Sequence, residues 1–387
     1  MRIGILTFHK AINYGAYLQS FSLSNKLKEQ FPNDEVEIID YIAPKEQRRK
    51  IYVLLRSIKH DGIRGGLSEF KRIFVFRSAQ KQLSLSPKSF CTKKLNKLYS
   101  YIDERYDMLI IGSDAVFNWD QTNFPTAFIP NYSFSIPVYT YAASVHGMRF
   151  YSVSADKLQL CGDTFSSMKC VGVRDKCTEQ FVRLCSDTAK TLHCCDPTLF
   201  IDKEIIYKKG ITAEEKIAKK YGFSLDSKYI VIMAPDSVLT ESVFKKYSGE
   251  YKIVSVFVKS SLSDYYISDL DPFEWTAVLK KASLVITSYF HGTLLSLVQG
   301  TPAVVIDYSG YCDGEYEGKL KDLMITRFNF PELYFDRSDA ENFNAHEELY
   351  QKIDELINGD YSERISAAVE NEKQAVKDFI EIIKPLN

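Results

Sequence analysis

Apolar residues fall along this chain in short, unalternating runs, each ending in small or polar residues and followed by helical spacing. Ile3–Thr7 is the first run, and a polar, glycine-containing loop carries it to Gly15. Leu18, Phe21, Leu23 and Leu27 then fall near one face of a helix, and Glu35–Tyr41 reads as the next strand. Met108–Ile111, Val138–Ala142, Val171–Arg174 and Ala189–Cys195 continue the series. Runs without alternation suit parallel strands covered on both faces. Strand, loop, helix, strand opens a doubly wound α/β domain, whose ligand crevice lies at the carboxyl ends of the strands.

The count restarts at Tyr229–Met233, followed by Tyr251–Val258, Leu284–Thr287 and Ala303–Asp307, with helical patterns at Trp275–Ala282 and Thr293–Gln299. The expected fold class is therefore α/β, two Rossmann-like domains facing a central cleft. The expected divisions are an N-terminal domain over 1–202, a charged helical connection over 203–225, a C-terminal domain over 226–350 and a helical segment over 351–387. The last holds a long mixed-charge helix, Tyr361–Ile383, whose docking place the sequence does not give.

Composition narrows the function classes. The 387 residues carry 49 basic and 50 acidic side chains, so the whole-chain balance offers no argument for nucleic acid. The first apolar run is too short for a signal-peptide core, and no later one approaches a membrane span. A cytoplasmic protein is expected. Eight cysteines, at 91, 161, 170, 177, 185, 194, 195 and 312, include no CxxC pair, which disfavours a zinc knuckle. Most read as small buried hydrophobes. One segment departs from the average: between Lys45 and Lys88 there are twelve Lys/Arg against three Asp/Glu, interleaved with Ile51, Tyr52, Leu55, Phe70, Phe74 and other apolar residues. Such a stretch fits an anionic membrane surface, and equally two solvated helices packed on their apolar faces. The first reading adds a peripheral place at the inner face of the plasma membrane.

Four constellations sit at expected strand ends. Asn13-Tyr14-Gly15-Ala16, with His9 before it and Gln19 after, enters a helix and can present backbone N–H groups to an anion, though it lacks both the dinucleotide fingerprint and the Walker A spacing. Gly112-Ser113-Asp114 brings a close-approach glycine, a hydroxyl and a carboxylate to one edge; a plain helix N-cap is the other reading. Arg174, followed by Asp175 and Lys176 and joined by Ser144 from the preceding strand end, is either a bidentate anion clamp or an interdomain salt bridge. His291, preceded by Ser288-Tyr289-Phe290, lies between an apolar strand ending at Thr287 and a helix opening with Gly292-Thr293, where it is either a general acid, an anion-binding imidazolium or a structural histidine. His193 and His346 are less informative, His146 stands near the expected crevice, and no H-E-x-x-H, G-x-S-x-G or paired-carboxylate signature is present.

In this order the pieces resemble the polysaccharide pyruvyl transferase family. The matches are Asn13-Tyr14-Gly15-Ala16 with Gln19, Ile111-Gly112-Ser113-Asp114 with Asn118, Tyr141-Ala142-Ala143-Ser144, Val173-Arg174 with Lys176, Asp196-Pro197-Thr198-Leu199, and Phe290-His291-Gly292-Thr293 with Gly300 and Pro302. The resemblance implies a GT-B-like architecture, phosphoenolpyruvate as donor, and as acceptor a glycan of a cell-surface polysaccharide or its lipid-linked precursor, with no metal or organic cofactor demanded. It further implies that Arg174 holds the donor phosphate or carboxylate and that His291 protonates the enol carbon or supports charge on the donor. Asn13, Gly15, Gly112, Ser113, Asp114, Ser144, Lys176, Ser288, Gly292 and Thr293 are then substrate-binding positions. The chain departs from the family pattern at Ala115 and Phe117, at Gly172 and Asp175 around the arginine, at His146, and at Tyr289 and Phe290, where some relatives carry a second arginine. Two other readings stay open: a GT-B-like glycosyltransferase using a nucleotide sugar, and a non-catalytic glycan-binding member of the family.

Overall fold

The apolar runs form two parallel six-stranded sheets in a computed structural model that describes residues 1–122, 124–308, 318–342, 347–359 and 362–384. The strands of the first sheet are β1 (Arg2–Leu6), β2 (Glu35–Ile38), β3 (Met108–Asp114), β4 (Val138–Ala143), β5 (Cys170–Val173) and β6 (Thr191–His193). Those of the second are β7 (Tyr229–Met233), β8 (Lys252–Val256), β9 (Tyr265–Ile267), β10 (Leu284–Thr287), β11 (Ala303–Asp307) and β12 (Tyr334–Asp336). Contacts divide the chain into two units, one built on Met1–Phe200 with Glu372–Asn387, the other on Ile201–Gly310 with Lys319–Asn371.

In the first unit the spatial order is β2-β1-β3-β4-β5-β6, every pair parallel. Sequence order reverses between β1 and β3, so the crevice rule points to the loops that follow these two strands. Ile3, Ile5, Leu109, Ile110, Ile111 and Val171 have no exposed surface. Each such side chain contributes roughly 1.5–3 kcal/mol of burial, which is why the runs need no alternation. Helix α1 (Tyr14–Gln30) follows β1. It begins one residue before Gly15, and the Asn13 side chain caps it by accepting from the Ala16 N–H at 3.1 Å.

Helix α2 (Pro44–Gln80) covers most of the basic segment and is two helices in substance, because Gly62 has φ 65° and ψ −159°. Only glycine takes that conformation without strain. The halves meet beside the break: a Cβ on Gly66 would stand 2.5 Å from Ile58 Cγ1. The far ends are tied down. The Tyr14 ring stacks on Phe76 at 5.1 Å, the Tyr17 hydroxyl donates to the Ala79 carbonyl at 2.9 Å, and Lys45 donates to the Asp120 carbonyl at 2.6 Å.

The second unit orders its strands β12-β11-β10-β7-β8-β9, again all parallel, and its reversal falls between β7 and β10. The helix Lys203–Tyr221, read in the sequence as a connection, is part of this unit; Lys216 pairs with Glu274 at 2.8 Å and Lys209 with Asp271 at 3.0 Å. The terminal helix Ser362–Ile383 changes unit at Glu372, beyond which Phe379 packs edge-on to Tyr141 at 4.8 Å. Cys161, Cys170, Cys177, Cys194 and Cys195 are buried as small apolar groups; Cys185 is half-buried and Cys91 exposed. Cys312 and His346 lie outside the described residues. Among the described residues no helix is long and apolar enough to cross a membrane.

Candidate functional site

The loops after β1 and β3 hold the first two constellations, and they are tied together by Gln19. Its Oε1 accepts from the Ser113 backbone N–H at 3.2 Å and the Ser113 hydroxyl at 2.5 Å. Its Nε2 donates to Thr7 Oγ1 and the Ala16 carbonyl, both at 2.9 Å. Gln19 and Ser113 are wholly buried. Gly112 sits against β4, with φ 129° and an imagined Cβ only 2.1 Å from the Tyr141 carbonyl oxygen; its peptide bond to Ser113 is cis. Gly112, Ser113 and Asp114 thus end a strand, and the N-cap reading fails because the next helix begins at Trp119. Asn13 and Gly15 lie at the head of α1, where the Asn13 carboxamide itself covers the Ala16 N–H that an anion would otherwise meet.

Beside Gln19, His9 is wholly buried. Its Nε2 stands 3.1 Å from Asp40 Oδ1, and Asp40 also receives Lys10 and Ser89. Burial lowers the His9 pKa, opposed by the Asp40 hydrogen bond. Burial also works to raise Asp40, but hydrogen bonds from His9, Lys10 and Ser89 outweigh it and hold the carboxyl well below the usual range. Asp40, at the edge of a run read as plain strand, gave no local signal of this role.

Arg174 follows β5 and has no exposed surface at all. Its Nη1 donates to Asp196 Oδ2 at 2.8 Å and its Nη2 stands 3.5 Å from Asp114 Oδ1, the latter across β4. Burial opposes the guanidinium charge, and Asp196, Asp114 and Asp175 outweigh that, raising its pKa further. Asp196 is anchored in turn, accepting from the Thr198 N–H at 3.0 Å and hydroxyl at 2.7 Å. The salt-bridge reading of Arg174 therefore holds within the first unit rather than between domains. Its guanidinium pairs with two carboxylates and so orders Asp114 and Asp196. Ser144 does framework work too, donating to Asp175 at 2.7 Å, while Asp175 caps the helix Lys176–Cys185 through Thr178. Lys176, in the first turn of that helix, is exposed.

In the second unit Ser288, Tyr289 and His291 follow β10 at the reversal of that sheet. The helix begins at Phe290, three residues before the sequence pattern placed it, so His291 and Gly292 lie in its first turn. Gly292 packs on Met233 and Thr287 without room for a side chain, and the Thr293 N–H and hydroxyl both donate to the Tyr289 carbonyl at 2.9 and 3.1 Å. The Ser288 N–H donates to the Met233 carbonyl at 3.2 Å, closing β10 onto β7. His291 is buried but for 8% of its surface, its ring edge-on to Phe290. A first-turn histidine places its ring at the positive end of the helix, an arrangement suited to an anionic group. Tyr289, one of the departures from the family pattern, is half-exposed and meets the Phe257 ring edge-on at 4.7 Å. That aromatic pair was not singled out from the sequence; Phe257 closes β8 with φ 71°, which no local pattern announces. Among the described residues no group of three or more histidine, cysteine, aspartate or glutamate side chains is placed to hold a metal ion.

The polysaccharide pyruvyl transferase family model matches residues 13–310, which span the constellations above apart from His9. The chain belongs to the polysaccharide pyruvyl transferase family. No curated protein matches it. Solved structures that share its fold include two UDP-GlcNAc 2-epimerases. The UDP-GlcNAc 2-epimerase of Neisseria meningitidis, bound to UDP-GlcNAc, aligns over 99% of each chain at 10% identity with a TM-score of 0.54. The UDP-GlcNAc 2-epimerase of Methanocaldococcus jannaschii aligns over 93% of each chain at 10% identity with a TM-score of 0.50. At this identity the likeness concerns the fold alone. This pyruvyl transferase family member has a GT-B-type architecture of two doubly wound parallel sheets.

Proposed function

We propose that the protein transfers the pyruvyl group of phosphoenolpyruvate to a diol on a glycan, forming a cyclic ketal on a cell-surface polysaccharide or its lipid-linked precursor. The observation that carries the reading is the family match over 13–310. In the reaction the donor's methylene carbon gains a proton, two sugar oxygens bond to its neighbouring carbon, and the bond from that carbon to the phosphate oxygen breaks, releasing inorganic phosphate. The two hydroxyl protons balance the one gained by the methyl group and the one leaving with phosphate. His291 is assigned the acid that protonates the methylene carbon, with the head of the helix Phe290–Val298 supporting the donor's negative charge. Ser288 borders the same loop and is assigned to donor binding, while buried Thr293 holds the helix start through the Tyr289 carbonyl; in the first unit, exposed Lys176 is assigned as a substrate contact.

The remaining first-unit positions are assigned differently from what the resemblance implied. Arg174 becomes a positioning residue that sets the Asp114 carboxylate. Asn13, Gly15, Gly112, Ser113 and Ser144 shape the β1, β3 and β4 loop ends that border the acceptor.

The test is phosphate release from phosphoenolpyruvate with diol-bearing glycans as acceptors, in wild type and in His291→Asn. The expected result is turnover in the wild type and a loss of roughly 10²–10⁴-fold in the variant, with an unchanged melting temperature. Unimpaired turnover in the variant would remove His291 from the mechanism. Thermal stabilisation by a nucleotide sugar and none by phosphoenolpyruvate would replace pyruvyl transfer by glycosyl transfer.

A further inference from the structure

Helix α2 carries eight of the fifteen large apolar side chains exposed among the described residues. They are not scattered. Ile51, Leu55 and Ile58 follow one another at i, i+4, i+7, with Tyr52 alongside, and Ile63, Leu67, Phe70 and Phe74 at i, i+4, i+7, i+11. Each half of the helix thus turns an apolar stripe to solvent, one on either side of the Gly62 break. Exposure runs from 45% at Ile58 to 80% at Ile63, next to the break. A contiguous apolar surface of this kind on an otherwise well-packed protein marks a binding face.

The charges beside the stripes say what kind of partner. Lys45, Arg48, Arg49, Arg56, Lys59, Lys71, Arg77 and Lys81 are exposed on the same helix and the residue after it. Its described acids are withdrawn: Glu46 and Glu69 are half-buried, and Glu69 pairs with Arg72 at 3.3 Å. Among the described side chains the exposed ionised groups here are all basic. A second copy of the chain would set these cations against one another, whereas an anionic bilayer supplies both the missing negative charge and an apolar layer. Long basic side chains beside such stripes can keep their heads at phosphate level while the apolar groups enter the acyl boundary.

We propose that α2 is a membrane anchor whose two apolar stripes insert into the interface of an anionic bilayer, held there by the flanking lysines and arginines. The ends of α2 are fixed to the first unit, and the Gly62 break lets the two halves offer their stripes in directions that a straight helix would not give. The inference does not depend on the transfer chemistry, since vesicles free of glycan suffice to test it.

The test uses the full chain in co-sedimentation with phosphatidylcholine vesicles, with and without phosphatidylglycerol, at low and high ionic strength. Binding is expected to the anionic vesicles, weakened by salt. Arg56→Gln with Lys59→Gln should lower the partition coefficient roughly 25-fold, at about fivefold per charge. Phe70→Ser with Phe74→Ser should lower it at least about tenfold while leaving the melting temperature in place, because both rings are exposed. The Phe74→Trp variant, otherwise wild type, should blue-shift its emission on anionic vesicles. The proposal is overturned by absent binding to anionic vesicles, by an emission of the Phe74→Trp variant that does not move, or by binding that both double variants leave intact. It is overturned equally by a concentration-dependent dimer that the Phe70/Phe74 variant dissolves while vesicle binding stays absent, which would assign the stripes to a second copy.

Discussion

Replacing Asp196 by asparagine keeps the shape of the side chain and removes one charge from the buried cluster around Arg174. In the wild type Asp196 Oδ1 takes the two Thr198 donors and Oδ2 takes Arg174 Nη1 at 2.8 Å. Asparagine has one acceptor for these duties. If its oxygen stays with Thr198, its amide N–H groups face the guanidinium N–H groups; if it turns, Thr198 loses its acceptor. Arg174 keeps Asp114, but at 3.5 Å and on a carboxylate that is itself partly exposed, so the compensation is weak. Breaking a buried pair from one side costs about 3–5 kcal/mol, and the surviving Asp114 contact argues for the lower end, about 3 kcal/mol. For a unit of this size that corresponds to a drop of roughly 6–12 °C in melting temperature. Scanning calorimetry of Asp196→Asn, Arg174→Met and the Arg174→Met/Asp196→Asn double variant reads it. The double variant should lose less than the two single losses added, because it leaves no buried charge facing an emptied partner. A change under about 2 °C in Asp196→Asn, or strict additivity, would refute the view of Arg174 as a group fixed by its carboxylates, and would restore it as an anion clamp.

Three further outcomes follow from the same packing. Gln19→Leu leaves the buried Ser113 N–H without its acceptor and should cost about 1–3 kcal/mol in urea unfolding, against no change from an exposed control such as Gln82→Leu. Gly112→Ala would place a Cβ 2.1 Å from the Tyr141 carbonyl at φ 129°, and should lower stability by more than about 3 kcal/mol or abolish soluble expression, whereas Gly249→Ala, with nothing within 4 Å, should fold normally. His9 has a folded pKa below its ordinary value, so its neutral form is the stable one: its contribution is complete above about pH 6.5 and is lost as pH falls from there toward the lowered value. The slope from this group reaches at most about 1.4 kcal/mol per pH unit, and His9→Gln should flatten the melting-temperature profile in that window.

The double α/β series was legible because its strands are buried on both faces and so write themselves as unbroken apolar runs; β1, β3, β4, β7, β10 and β11 all lie where those runs stand. The strands at the two edges of the second sheet were not. Tyr265–Ile267 and Tyr334–Asp336 are three residues long and half-exposed, and nothing in so short a run separates strand from loop. Helix starts slipped for a different reason. Gly15 and Gly292 looked like loop residues, but tertiary packing holds each inside a first turn, overriding a propensity difference of about 1 kcal/mol. The strand ends that carry chemistry were found from residue type, yet their work was not: the partners of Arg174 are 22 and 60 residues away, and the acceptor for Ser113 is 94 residues back. Local pattern holds no information about such pairings, so a buried cation and an exposed clamp look alike in one dimension.

That distinction separates the two units' motif residues into different kinds. In the first unit Gln19, Ser113, Ser144 and Arg174 are buried and engaged with side chains or backbone of the same unit, and changing any of them should disturb stability before it disturbs chemistry. In the second unit Ser288 and Tyr289 keep half-exposed surface and His291 a small opening, at the positive head of a helix beside the sheet's reversal. Transition-state charge is stabilised by groups that are both preorganised and reachable. By that standard the proposed donor chemistry is better assigned to the second-unit loop, while the arginine and its carboxylates tie together the strand ends of their own sheet. Reading the family motifs as one list of contacts would miss this: some residues are present in order to hold others still.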